Sequence, residues 1–337
     1  MPGRYDYDES KIGVRPGRRG TRPRTKDRPA HKDAVIGVVT GVDRGRWTCL
    51  VDDHVVTAMR ARELRRSPIV VGDRVGLVGD TSGDEGTLAR IVRIEERETF
   101  LRRTADDTDP VERVLVANAD QLAIVTALAD PEPRPRMVDR CLVAAYDAEM
   151  DPLLVLTKAD LADPDEFMQS YAGLDVPYVV TQVLPDGTIE GLDAVHERLA
   201  GQTTVLVGHS GVGKSTLVNA LVPGTHRAVG HVNAVTGRGR HTSTSAVALE
   251  LADGGWVIDT PGVRSFGLAH VDPDSFIDHF PELAAGTENC PRGCSHDEEH
   301  CALDAWVAQG HAGPSGAARL ESLRRLLRSR LGTPEEE

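Results

Sequence analysis

Gly208-His209-Ser210-Gly211-Val212-Gly213-Lys214-Ser215-Thr216 is the stretch from which the rest of this 337-residue chain is read. It follows the apolar Val205-Leu206-Val207 and runs into the helical pattern Leu217-Val218-Asn219-Ala220-Leu221. A strand, a glycine-rich turn of form G-x-x-x-x-G-K-[ST] and a helix make a phosphate loop. The glycines let successive backbone N–H groups turn inward on an anion, and the helix N-terminus adds its positive end. All of 208–216 is therefore expected to line the nucleotide, with Lys214 reaching the β- and γ-phosphates and Ser215 ligating Mg²⁺.

Working outward, Asp259-Thr260-Pro261-Gly262 closes the apolar run Trp256-Val257-Ile258, about 45 residues after the loop. At a strand end Asp259 can hold Mg²⁺ through water, and the Gly262 N–H can sense the γ-phosphate. Upstream, Thr157-Lys158-Ala159-Asp160 follows the buried-strand pattern Leu153–Leu156. In an [NT]-K-x-D loop the Asp carboxylate accepts from guanine N1–H and N2–H₂ while the Lys stem lies over the ring. Adenine offers no such donor pair, so the expected nucleotide is GTP. Asn is usual where Thr157 stands, and the shorter hydroxyl is expected to weaken base affinity. The guanine loop precedes the phosphate loop by about 50 residues, the reverse of the ordinary order. Rejoining a domain at its neighbouring termini preserves such a site.

The strand–helix–strand rhythm of residues 112–268 predicts an α/β domain with a parallel sheet: strands at Gln121–Leu128, Leu153–Leu156, Tyr178–Val180 and Thr204–Val207, and a helix at Met137–Ala148. Residues 34–104 show five short alternating stretches separated by turns such as Asp43-Arg44-Gly45. They predict a small β-barrel, with an OB-fold first and an SH3-like barrel not separable by pattern. Residues 1–33 carry ten Lys/Arg among Gly and Pro, the composition of a disordered polyanion-binding arm.

Residues 269–337 hold Cys290-x3-Cys294-x-His296-x4-Cys301, three thiolates and an imidazole suited to one structural Zn²⁺ per chain. His300 competes with His296 as the fourth ligand. Beyond it Leu320, Leu323, Leu326 and Leu327 form one apolar helix face. Cys49 and Cys141 fall in strand and helix patterns as small buried residues. Five cysteines, an odd number with three clustered, argue for a metal site over a disulfide framework. No apolar run approaches the roughly 20 residues of a membrane span. A cytoplasmic protein is expected. The net charge of −13 weighs against a general nucleic-acid binder, with the basic arm as the local exception.

These motifs, with Asn118-Ala119-Asp120-Gln121, Gly237-Arg238-Gly239-Arg240-His241-Thr242 and Asp259 to Phe266, resemble the ribosome-small-subunit-dependent GTPase A (RsgA) family across most of the chain. The resemblance implies an N-terminal OB-fold that binds RNA, a circularly permuted GTPase domain and a C-terminal helical zinc domain. It also implies a monomeric late-assembly factor for the small (30S) ribosomal subunit and its rRNA, with low GTP-to-GDP turnover raised by that subunit. His241-Thr242-Ser243-Thr244 becomes switch I, with Thr242 or Thr244 completing the Mg²⁺ shell. Val263 stands where many GTPases place a water-orienting glutamine, so His241 or a ribosomal group is the expected catalytic substitute. Val180-Thr181-Gln182 departs from the family's Ser-Ala base-support loop, and the arm before residue 34 lies outside the shared architecture. A permuted GTPase of the large subunit and a non-catalytic rRNA-binding module are the other readings.

Overall fold

In the computed structural model, which describes residues 31–64, 67–104, 112–223, 246–260, 268, 271 and 273–330, the alternating N-terminal stretches become β1 (Val35–Asp43), β2 (Arg46–Val51), β3 (His54–Arg60), β4 (Arg74–Gly79) and β5 (Ala89–Ile94). They pair in the order β1-β2-β3-β5-β4, and β4 returns to β1. All pairs are antiparallel except β3 with β5. This closed, OB-like barrel settles what the pattern alone left open. Period-two alternation turns Val39, Cys49, Val51, Val56, Ala58, Val75, Leu77 and Ile91 inward. Burial pushes the Cys49 thiol up to about 12, as befits a packing residue.

A hairpin of β6 (Phe100–Arg103) and β7 (Arg113–Ala117) leads to the α/β sheet. There β8 (Gln121–Ala127), β9 (Asp151–Thr157), β10 (Tyr178–Val180) and β13 (Thr203–Gly208) lie parallel, β11 (Gln182–Val183) and β12 (Ile189–Glu190) forming a small hairpin between the last two. The sheet continues through parallel β15 (Trp256–Asp259) to antiparallel β14 (Val247–Glu250). Its order is β10-β9-β8-β13-β15-β14, and β14 then pairs with barrel strand β1, so barrel and α/β sheet are hydrogen-bonded into one 11-stranded system.

Both faces of the sheet are covered, which is why its strands read as unbroken apolar runs. Leu122, Ile124, Leu154, Leu156, Val205, Val207 and Ile258 point to one side, against α1 (Pro135–Asp147). Ala123, Val125, Leu153, Val155, Leu206 and Val257 point to the other, against α3 (Leu192–Leu199) and α4 (Lys214–Leu221). The short α2 (Pro164–Gln169) starts with an Asp163 cap. The first apolar cluster runs without a break into the C-terminal region, where Phe276, Phe280, Leu283, Leu303, Leu320, Leu323, Leu326 and Leu327 belong to it. Among the described residues no helix is long and apolar enough to cross a membrane.

The final helix, Gly316–Arg330, docks on α1 through arginines as well as leucines. Arg319 donates to the Gly173 carbonyl (3.1 Å) and pairs with Asp175 (2.9 Å) and Glu282. A Cβ at Gly173 would stand 2.7 Å from the Ala318 carbonyl, so only glycine permits this approach. Arg325 pairs with Asp139 of α1 at 3.1 Å and stacks its guanidinium 4.6 Å from the centre of the Tyr171 ring. Asp139 is 3 % exposed, and burial pushes its carboxyl up to about 6 despite the opposing pull of Arg325. Removing one partner strands a buried charge. Arg325→Ala should therefore cost about 3 kcal/mol of unfolding free energy, and the Asp139→Ala/Arg325→Ala double variant should recover part of it. Urea denaturation checks this; equal losses in the two variants would remove the buried-charge explanation.

Candidate functional site

The phosphate-loop strand β13 sits between β8 and β15. Gly208 ends it where a Cβ would stand 2.7 Å from the Val125 carbonyl, so a side chain there would push the strands apart. Gly211 (φ 87°) and Gly213 (φ 90°) take the left-handed backbone needed to reverse the chain into α4. Gly213 is the helix N-cap and no side chain caps it. The first-turn N–H groups of α4 have no acceptor inside the helix. An uncapped, glycine-led helix start with Ser215 and Thr216 exposed on its first turn fits an anion.

Three loops converge here. The Lys214 ammonium contacts the Asp259 carboxylate at the end of β15. Next to Asp259, the Thr260 hydroxyl donates to the Leu206 carbonyl at 2.7 Å, tying that strand end to β13. From the guanine side, the buried Thr157 hydroxyl donates to the Val212 carbonyl at 2.6 Å, a direct bond between the T-K-x-D loop and the phosphate loop. Lys158 stands in left-handed backbone (φ 60°) and its ammonium donates to the Asp130 carbonyl, while Asp160 is exposed. His209 and Ser210 form the outer turn of the phosphate loop, with His209 Nδ1 2.9 Å from the Ser210 carbonyl.

Asp130 and Pro131 carry no motif and escape a sequence reading. Asp130 supplies its carbonyl to Lys158, and Pro131 lies against Gly211. Thr181 accepts the Ala159 N–H (3.2 Å) on its carbonyl and donates its own N–H to Leu156 (2.7 Å). Val180-Thr181-Gln182 thus braces the T-K-x-D loop through backbone, and the Thr181 hydroxyl adds a bond to the Leu156 carbonyl (3.3 Å). His241, Thr242, Ser243, Thr244, Gly262 and Val263 lie outside the described residues, as does most of the basic arm.

Apart from this site, the ligand atoms of Cys290, Cys294, His296 and Cys301 all fall within 4.8 Å of one another. Cys290 Sγ is 3.7 Å from His296 Nδ1 and 3.9 Å from Cys301 Sγ, and Cys301 Sγ is 3.9 Å from His296 Nδ1. A tetrahedral ion bound by three thiolates and an imidazole requires ligand separations of about 3.6–3.8 Å. These four residues can hold a metal ion. His296 reaches the cluster from left-handed backbone (φ 62°) and is buried. The final helix holds the loop in place: Arg324 donates to the His296 carbonyl (2.9 Å) and forks onto Asp304 (2.9 and 2.7 Å), and Arg328 pairs with Asp297 (2.9 Å). The hydrogen bonds from Arg324 keep the Asp304 carboxyl below the usual carboxylate range.

A phosphate-loop motif on a central strand of a parallel sheet, joined by Thr157 to the T-K-x-D loop that comes earlier in the chain, is the arrangement expected of a circularly permuted P-loop GTPase. The RsgA GTPase family profile matches residues 94–269. The chain belongs to that family. It is 36 % identical over 327 residues to the small ribosomal subunit biogenesis GTPase RsgA of Yersinia pseudotuberculosis, covering 91 % of this chain and 90 % of the relative. It is also 36 % identical over 269 residues to the protein of the same name from Pseudomonas aeruginosa, covering 77 % and 76 %. The crystal structure of YjeQ from Thermotoga maritima superposes with a TM-score of 0.63 at 27 % identity, over 89 % of this chain and 99 % of that one. YloQ, a circularly permuted GTPase, shares the fold with a TM-score of 0.60 at 21 % identity, over 92 % and 99 %.

Thr157→Val keeps the volume and removes the hydroxyl, leaving the Val212 carbonyl without that donor. GTP affinity should fall about three- to tenfold, the worth of one buried hydrogen bond. Equilibrium titration with a fluorescent GTP analogue reads this, and wild-type affinity in Thr157→Val would break the proposed link between the loops.

Proposed function

We propose that this GTPase acts in the cytoplasm, as a monomer, in late maturation of the small (30S) ribosomal subunit, and that the subunit raises its turnover. The observation that carries the reading is the convergence of Thr157, Val212, Lys214 and Asp259, which supports assigning base recognition, phosphate binding and Mg²⁺ ligation to one place. Residues 208–216 hold the phosphates, Lys158 and Asp160 hold the base, and the Gly262 N–H meets the γ-phosphate. Ser215, Thr242 and Asp259 are the residues to hold Mg²⁺, whose charge offsets that building on the phosphate oxygens. Lys214 neutralises the same charge from the protein side. Val263 cannot orient water, so His241, or a group from the subunit, is assigned that part.

In this reading the barrel of residues 34–104 meets rRNA, together with the basic arm of 1–33, and residues 112–268 carry out hydrolysis. Residues 269–337 are stabilised by Zn²⁺ on Cys290, Cys294, His296 and Cys301. Wild-type protein should contain about one Zn²⁺ per chain, and Cys294→Ala should lose it together with protease resistance of the C-terminal region. Elemental analysis finding no zinc in freshly purified protein would contradict the assignment.

The functional test is GTP turnover with and without purified small subunits. Turnover should be slow alone, rise at least about tenfold with small subunits but not large ones, and vanish in Lys214→Ala. Stimulation by large subunits instead would move the protein to the other ribosomal partner.

A further inference from the structure

Asn118-Ala119-Asp120 lies outside the nucleotide site, yet no other short segment among the described residues bonds both the barrel and the root of the phosphate-loop strand. Asn118 stands in left-handed backbone (φ 53°). Its carboxamide is used at both ends: Nδ2 donates to the Gly72 carbonyl (2.8 Å) and Oδ1 accepts the Glu98 N–H (2.9 Å). Its own N–H goes to the Thr99 carbonyl (2.7 Å), and the Thr99 hydroxyl donates to the Ala119 carbonyl (2.6 Å). Gly72 abuts this segment so closely that a Cβ there would lie 1.8 Å from the Ala117 carbonyl. Gly72 in turn donates its N–H to Val39 of β1 (2.8 Å). Two residues on, Asp120 bonds the start of the next strand twice: its N–H goes to the Thr203 carbonyl (2.9 Å) and its side-chain carboxylate accepts the Thr203 N–H (2.7 Å). Thr203 begins β13, the strand that ends in the phosphate loop.

A second connection lies farther along the sheet. Gly41 of β1 pairs with Val247 of β14, Val247 with Asp259 of β15, and Asp259 with Leu206 of β13. One row of ladder partners thus runs from the barrel to the carboxylate beside Lys214. Only one β1–β14 register pair is present among the described residues, and at the other end the barrel is held by the Ala117 N–H on the Val71 carbonyl (3.0 Å), the Val71–Val116 bridge and the bonds of Asn118.

We propose that Asn118 is a positioning residue for the subunit-stimulated reaction: its carboxamide fixes the barrel to the root of β13, so that a partner gripping the barrel moves the Gly41–Val247–Asp259 row instead of swivelling about it. This rests on the reading that the small subunit stimulates turnover. With the joint closed, force on the barrel reaches Asp259 through β14. With the carboxamide removed, backbone bonds such as Ala117 to Val71 and Asn118 to Thr99 still hold this end, and more of the same force goes into turning the barrel.

The test uses the full-length chain. Asn118→Gly keeps the left-handed turn at no strain and deletes both side-chain bonds. Asn118→Asp keeps the acceptor for Glu98 and loses the donor to Gly72. Basal turnover of Asn118→Gly should stay within about twofold of wild type while stimulated turnover falls about tenfold, the worth of two ordinary hydrogen bonds, with Asn118→Asp between them. Hydrogen exchange should quicken at residues 97–100 and 117–120 of Asn118→Gly and stay unchanged in β9. Full stimulation of Asn118→Gly would overturn the proposal, and so would an equal fall in basal and stimulated rates, which marks a general loss of the site. If wild-type protein is not stimulated by small subunits, the functional reading fails on its own account. Exchange then decides the joint, and unchanged protection in Asn118→Gly overturns it.

Discussion

A phosphate can be ringed by backbone N–H groups only if the strand delivering them ends at a fixed height beside its neighbours. Here that strand is β13, and much of the molecule serves to fix it. Asp120 holds its start, Gly208 lets its end lie against Val125, and the Thr260 hydroxyl ties the end of β15 to the Leu206 carbonyl. Thr157 then reaches across from the end of β9 to the Val212 carbonyl. Each contact is an ordinary hydrogen bond or a close backbone approach, and together they locate the loop from three sides.

Permutation leaves this arrangement intact and changes what the chain ends lead to. The sheet keeps its doubly covered parallel order, so the same alternation buries Leu122 and Ile124 on one face and Ala123 and Val125 on the other. The exit from β15, beside Asp259, leads into a C-terminal region that shares the apolar core of α1 and carries the Cys/His cluster. The barrel enters from the other side, hydrogen-bonded to β14. The barrel is therefore bonded to the strand beside β15, and the C-terminal region packs on the helix that covers the sheet, an arrangement through which a macromolecular partner can be coupled to hydrolysis.

Much of this was legible in the sequence. Strands buried on both faces read as apolar runs, which located β8, β9, β10 and β13 within a residue or two, and the leucine face of the final helix packs as its spacing implied. Ligand spacing likewise announced the Cys/His cluster. Contacts made by backbone were not legible: the carbonyl of Asp130 supports the T-K-x-D loop without any side-chain signature. The arginine clamps between the final helix and α1 were missed because their partners lie far apart in sequence, Arg325 with Asp139 above all. Nor did the motif Asn118-Ala119-Asp120 disclose its role, since a left-handed asparagine with both ends of its amide engaged looks like any loop asparagine until Gly72 and Glu98 are placed beside it.

If the γ-phosphate side of the site and the outer regions form one coupled system, the nucleotide must change the grip on the ribosomal partner as much as the partner changes hydrolysis. The measurement that tests this most directly is the affinity of purified small subunits for the full-length protein loaded with a non-hydrolysable GTP analogue or with GDP, at fixed salt. The analogue form should bind at least about fivefold more tightly, the lower end of typical coupling energies. Equal affinity of the two forms would contradict the coupling, even for an enzyme that hydrolyses GTP.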